Sequence, residues 1–152
     1  MTPIRTIKYA QRVKEVHYDD GTVAWYKDGE LHKEDGPSLQ LANGFTQWHQ
    51  NGKLHRIDGP AKEFPEGGGE WYLNGEFHRD DGPAVEKMDG TTKWYQHGKL
   101  HRVDGPAVIE SDGKQEWHQD GQLHREDGPA ITHADGTQYW YINGQHHREN
   151  AP

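Results

Sequence analysis

The chain has no cysteine, which excludes disulfides, thiolate zinc sites and cysteine nucleophiles, and fits a reducing compartment. It has no apolar run of membrane-spanning length. Its opening, MTPIRTIKYAQRVKEV, lacks the apolar stretch of a secretory leader, so a soluble, cytoplasmic protein with no membrane contact is expected. It has no basic excess either: 17 Lys and Arg stand against 25 Asp and Glu, a net charge of -8. Nucleic-acid binding through phosphate contacts needs a basic face and is therefore not expected. Apolar residues make up only 30% of the chain, a level at which an ordinary globular core is hard to build. What the chain does have is six Trp, seven Tyr and 19 Gly. So polar a chain folds when its few large aromatics stack into one continuous stripe, as repeat proteins do.

The repeat is explicit. Trp25, Trp48, Trp71, Trp94, Trp117 and Trp140 follow one another at intervals of 23 residues. His32, His55, His78, His101, His124 and His147 keep that interval, as do Pro37, Pro60, Pro83, Pro106, Pro129 and Pro152. The unit reads D-G-T-x-x-W-Y-x-N-G-x-L-H-R-x-D-G-P-A, and its six copies span 20–42, 43–65, 66–88, 89–111, 112–134 and 135–152. Residues 1–19 form an N-terminal cap region ahead of them.

Each copy carries strand chemistry. The pairs Asp20-Gly21, Asn43-Gly44, Asp89-Gly90, Asp112-Gly113 and Asp135-Gly136 predict type I′ hairpin turns. A Thr- and aromatic-rich segment such as 91–96 follows each. A second strand follows the proline, with Leu39, Val85, Val108 and Ile131 at matching places, and a further turn lies at Gly98 and its equivalents. No segment has helical periodicity. The fold class is all-β, a meander of antiparallel hairpins in an elongated, solenoid-like sheet. The run PEGGGE reads as a longer turn replacing D-G in the third copy.

On its period, its D-G turn and its Y-x-x-G spacing (Tyr95 to Gly98), the stretch 20–152 resembles MORN-type repeats. It is closer still to a variant rich in HRxDGPA found in bacterial, phage and giant-virus proteins. The usual G-x-G is replaced here by HRVDGPA, so a lipid-binding role is not carried over. The resemblance implies a scaffold or binding surface and no reaction. It further implies a phage or bacterial accessory protein, such as an inhibitor of a host or defence enzyme.

The recurring polar residues have a structural reading. Asp35, Asp58, Asp81, Asp104 and Asp127 can accept backbone N–H groups or pair with Arg56, Arg79, Arg102, Arg125 and Arg148. The histidines can donate to backbone carbonyls. Gly36, Gly59, Gly82, Gly105 and Gly128 relax the corner before proline. Six catalytic sites in one small chain make little sense, whereas six identical corners are what a repeat needs. Ser38 and Ser111 are the only serines, and neither lies in a nucleophile elbow. PEGGGE lacks the lysine of a phosphate loop. No enzyme activity and no cofactor are expected. Zinc ligands sit about 3–4 Å from one another, whereas equivalent histidines one repeat apart lie roughly 10 Å apart, so no metal ladder is expected. A metal site would need extra histidines, such as His97 beside His101 or His146 beside His147.

Neighbouring strand residues face opposite ways. The invariant Trp row is therefore assigned to the interior. The row after it (Tyr26, His49, Tyr72, Tyr95, His118, Tyr141) is assigned to an exposed strip, the candidate binding face for a protein partner. The alternatives are a small-ligand, nucleotide or glycan binder stacking on that row, or a metal-binding His-rich protein. Departures from consensus mark candidate specificity positions: Lys33, the stretch 64–69, His49, His118 and His133. The segment KEVHYD, 14–19, aligns with PAVIES of the unit, while the last copy stops at Asn150-Ala151-Pro152 before its second strand. Strand 14–19 thus either caps the first edge or completes the last unit, by closing the chain or by joining copies head to tail as a homo-oligomer. Ile4, Ile7 and Tyr9 extend the cap or lie free of it.

Overall fold

In the computed structural model, residues 3–8 and 13–149 are described, with side chains described for 13–147. Tyr9 and the Asn150-Ala151-Pro152 end lie outside the described residues, as do the side chains of Ile4, Ile7 and Arg148. The described residues are all-β and contain no helix, so none is long and apolar enough to cross a membrane. Compactness divides the chain into Met1–Glu76 and Phe77–Pro152, a division that falls inside the third repeat. In the first unit, Pro3–Lys8, Val13–Tyr18, Val23–Lys27, Leu39–Gln40, Thr46–Gln47, Lys62–Glu63 and Gly68–Glu70 form an antiparallel meander in chain order. In the second, Val85–Lys87, Thr92–Lys93, Val108–Ile109, Gln115–Glu116, Ile131–Thr132, Gln138–Ile142 and Gln145–Glu149 do the same. Short hairpins such as His49–Gln50 with Lys53–Leu54, and His118–Gln119 with Gln122–Leu123, branch off this main sheet.

The branch point is the tryptophan. Trp48 N–H donates to Ala61 O at 2.8 Å in the main sheet, while Trp48 O accepts from His55 N–H at 3.0 Å in the short hairpin. Trp94 bonds likewise to Ala107 and His101, and Trp117 to Ala130 and His124. Consecutive short hairpins are joined in turn, with Gly52 N–H on Leu31 O in one unit and Gly121 N–H on Leu100 O in the other. Each repeat therefore contributes to two ladders, and one residue belongs to both.

The two turns per repeat are of opposite kinds to those the sequence suggests. Asn43-Gly44 does not form a type I′ turn. Gly44 N–H donates to Leu41 O at 3.0 Å and Leu41 N–H to Phe45 O at 2.9 Å, with Gly44 alone at positive φ. This is the three-residue loop with a G1 bulge. The side chain of Asn43 accepts Phe45 N–H at 3.0 Å, and Asp20, Asp89, Asp112 and Asp135 do the same two residues on. The type I′ turns lie at the other site, where Asp28-Gly29, Asn51-Gly52, His97-Gly98, Asp120-Gly121 and Asn143-Gly144 all have both residues at positive φ. PEGGGE is no longer than its equivalents, since Gly67 N–H bonds Phe64 O in the same loop. Phe64 instead packs on Phe45, ring centroids 5.2 Å apart.

The core is narrow and made of small residues. Ser38, Ala61, Ala84, Ala107 and Ala130, the residues after each proline, have no exposed surface, and Val85 and Val108 lie beside them. The expected faces are reversed. His49, Tyr72 and His118 are 7%, 8% and 8% exposed, and Tyr26, Tyr95 and Tyr141 are half-buried, so this row is not an open strip. The tryptophans are only half-buried. Their ring faces are covered by cations and not by hydrocarbon: Arg56 lies 4.0 Å from the Trp48 centroid, and Arg102 and Arg125 lie 4.1 Å from Trp94 and Trp117. The polar tips of the Tyr and His row find partners inside, which removes the reason to face water.

The ends follow the same logic. Val13–Tyr18 is hydrogen-bonded on both sides, to Pro3–Lys8 and to Val23–Lys27. That is the capping arrangement; its ladder groups are spent and offer no edge for closure or head-to-tail joining. At the other end Gln145–Glu149 zips back along Gln138–Ile142, reaching Trp140, where other repeats place only a two-residue rung.

The glycine of each D-G-P corner is needed for space more than for proline's sake. A Cβ on Gly105 would lie 2.8 Å from Arg102 Cζ, and one on Gly82 would lie 2.6 Å from Arg79 Cζ. Gly105→Ala is expected to push the guanidinium off Trp94 and lower unfolding free energy by about 1–3 kcal/mol in urea titrations. Unchanged stability would contradict the packing.

Candidate functional site

The His-Arg-x-Asp-Gly-Pro corner is where sequence places chemistry, and the structure brings its parts together within each repeat. Arg102 Nε donates to Asp104 Oδ1 at 3.0 Å and Nη1 to Pro106 O at 3.3 Å, with the guanidinium flat between Trp94 and Gly105. Arg125 repeats this on Asp127, Pro129 and Trp117. Arg56 and Arg79 bond Asp58 and Asp81 the same way and add Glu63 at 2.7 Å and Glu86 at 2.8 Å. Arg56 beside it holds the Asp58 carboxyl below its usual range. Lys33 keeps the stack without the fork, its Nζ 3.5 Å from the Trp25 centroid. Four donors and a ring face thus hold each guanidinium, and Arg is the residue whose planar fork suits that.

The histidines do not donate to carbonyls as expected. They accept. His32 Nδ1 receives Asn51 N–H at 3.0 Å, His78 Nδ1 receives His97 N–H at 3.2 Å, and His55, His101 and His124 likewise receive Asn74, Asp120 and Asn143. Each donor is the left-handed residue of the next repeat's type I′ turn, 19 positions on. The histidine therefore joins one repeat to the next. His147 lies exposed at the end of the row. His78 and His97 rings sit 4.6 Å apart, and among the described residues no group of three or more His, Cys, Asp or Glu converges as metal ligands do.

The Tyr and His row is tied to its own strand and to the next one. Ser38 Oγ is 2.8 Å from His49 Nδ1; burial, then the Lys62 charge, holds the His49 pKa down. Tyr72 O–H and Lys62 Nζ both donate to Glu70 Oε2 at 2.9 Å. In the second unit Glu116 takes His118 Nε2 at 2.9 Å and Lys114 Nζ at 2.6 Å. The hydrogen bond from His118 leads in lowering the Glu116 pKa to about 2. Tyr26, buried and bonded to the Tyr18 hydroxyl at 3.1 Å, is pushed up to about 12. Sequence gave no warning of Ser38 or Glu116 in these roles, because neither position is constant across repeats. The Arg-Gly stack was readable in principle, since Arg and the Gly three residues on recur together.

Beside the corners lie open clefts. One of about 430 Å³ is lined by Trp117, Gln119 and His124–Asp127, facing the Arg102–Gly105 corner of the preceding repeat. One of about 350 Å³ is lined by Trp25, Lys27 and His32–Asp35, facing Val13 and Glu15. No protein-family model matches the chain, and no curated protein matches it.

Because the Glu116 pKa is depressed, its contribution is complete above the ordinary carboxylate value of 4.5 and is lost as pH falls towards 2. Glu116→Gln is expected to destabilise the protein at pH 7 by up to about 3 kcal/mol. It should also flatten the acid limb of a stability-versus-pH curve between those two values. An acid limb identical to that of the wild type would refute the assignment.

Proposed function

We propose that the protein is a non-enzymatic binding scaffold of the MORN-like kind, presenting the corner side of its hairpins to a protein partner. One observation carries the reading: the recurring His, Arg and Asp groups are spent on holding the repeat, while the residue between Arg and Asp, which varies, is displayed. At that position Ile57 is 84% exposed and Val103 76% exposed. Exposed aliphatic side chains on fixed corners serve as contact anchors. The buried Tyr and His row gives way to this side as the candidate face. A phage or bacterial accessory role in the cytoplasm, as an inhibitor of a host or defence enzyme, is consistent with the repeat resemblance and with a compact, acidic, cysteine-free chain.

A second reading, a small-ligand binder for glycans or nucleotides, is favoured by the cleft beside Trp117. Calorimetry against glycan and nucleotide panels separates it from the first, which expects silence there.

The scaffold reading is tested by affinity capture from host lysate with the wild type and with an Ile57→Asp, Val103→Asp double variant. A specific partner should be recovered by the wild type and fall at least tenfold with the variant, whose melting should be unchanged. Equal recovery by both, or no specific partner at all, counts against it.

A further inference from the structure

The two clefts are built from the same repeat positions, one in each compact unit. Trp25, Lys27, His32, Lys33, Glu34 and Asp35 line the first, and Trp117, Gln119, His124, Arg125, Glu126 and Asp127 line the second. Each has a valine on its facing wall, Val13 or Val103. Each sets three carboxylates against two cations: Glu15, Glu34 and Asp35 against Lys27 and Lys33, and Asp104, Glu126 and Asp127 against Arg102 and Arg125.

The cations are already engaged. Arg102 and Arg125 are paired with Asp104 and Asp127 at 3.0 Å, and Lys33 lies over Trp25. The carboxylates left facing outward are Glu34, 72% exposed, and Glu126, 83% exposed. Both stand at the same repeat position and 3.8 Å from the Nε2 of their own repeat's histidine. In the first cleft that nitrogen is unusual. His32 is 5% exposed, and its Nε2 is buried without a hydrogen-bond partner. Since Nδ1 accepts Asn51 N–H, Nε2 carries the proton and directs it at the Glu34 side of the cleft. Asp127, 86% exposed, uses one oxygen on Arg125 Nε and keeps the other outward next to Glu126.

An apolar wall, an indole and a paired carboxylate rim suit a long cationic side chain, which lays its stem on hydrocarbon and sets its charge at the rim. The negative excess turns phosphate and other anions away. We infer that each cleft receives a lysine or arginine side chain from an extended, basic segment of the protein partner. The inference rests on the scaffold reading and names the chemistry of what it binds. Repeats advance by roughly 10 Å, about three residues of extended chain, so a segment with a basic residue at every third position keeps step with them.

The test uses an Arg-Gly-Ser repeat peptide and its citrulline counterpart, which keeps shape and loses charge. Fluorescence anisotropy at low and physiological salt reads binding to the full chain. The arginine peptide should bind saturably and the citrulline peptide at least tenfold more weakly. Glu34→Gln and Glu126→Gln should each weaken binding several-fold, and the pair at least tenfold, with circular dichroism unchanged. Glu66→Gln, an exposed carboxylate in a turn, should bind as the wild type does. Equal binding of both peptides, no saturable binding, an unaffected double variant, or equal loss with Glu66→Gln would each overturn the inference. A lysate partner retained in full by the Glu34, Glu126 double variant would overturn the cleft assignment while leaving the scaffold reading in place.

Discussion

A guanidinium held flat between an indole face and a glycine Cα is the contact on which each repeat depends. It covers the tryptophan, takes up the Asp and Pro acceptors of its corner, and leaves no room for a Cβ beneath it. Cation–π attraction at a partly exposed site contributes about 0.5–1 kcal/mol, and an exposed ion pair less. The strength of the corner lies in combination: one rigid fork satisfies several groups at once, so the entropy of fixing one side chain is set against several gains. Lys33 over Trp25 shows the minimum that serves, a cation on the ring without the fork.

Two ladders meeting at one residue explain how so polar a chain folds. Each tryptophan sends its N–H to the main sheet and its carbonyl to the short hairpin, so backbone bonds do much of the work that a hydrocarbon core does elsewhere. What is buried is a row of Ala and Ser at zero exposure with a few valines beside it. Polar side chains enter only where they are paired, as Glu116 is with His118 and Lys114. The histidines add the link between repeats, each accepting the N–H of a left-handed residue that would otherwise lack a partner at the next turn.

Much of the architecture was legible. The interval between tryptophans, the D-G and N-G pairs and the apolar residues after each proline mark two hairpins per repeat and no helix. Which turn type belongs to which pair was not, because Asp-Gly suits both a type I′ turn and a G1-bulged loop, and strand register chooses between them. The face assignment failed for a related reason. Alternation says that Trp25 and Tyr26 point opposite ways, but not which side is covered. Size favours Trp for the interior, yet the arginine arriving from the corner covers the indole, and Ser38, Glu70 and Glu116 receive the smaller polar tips. The histidine's role was inverted because donor and acceptor are equally available to a neutral imidazole, and only the neighbouring backbone decides between them.

By itself, then, the sequence determined the period, the all-β class and the residues from which every corner is made, because these follow from local turn chemistry and from recurrence. Only the tertiary structure decided which row is buried, which histidine nitrogen is engaged, and that Glu34 and Glu126 stand at the rims of matching clefts. Those outcomes depend on residues brought together from neighbouring repeats, and proximity of that kind is a property of the folded chain alone.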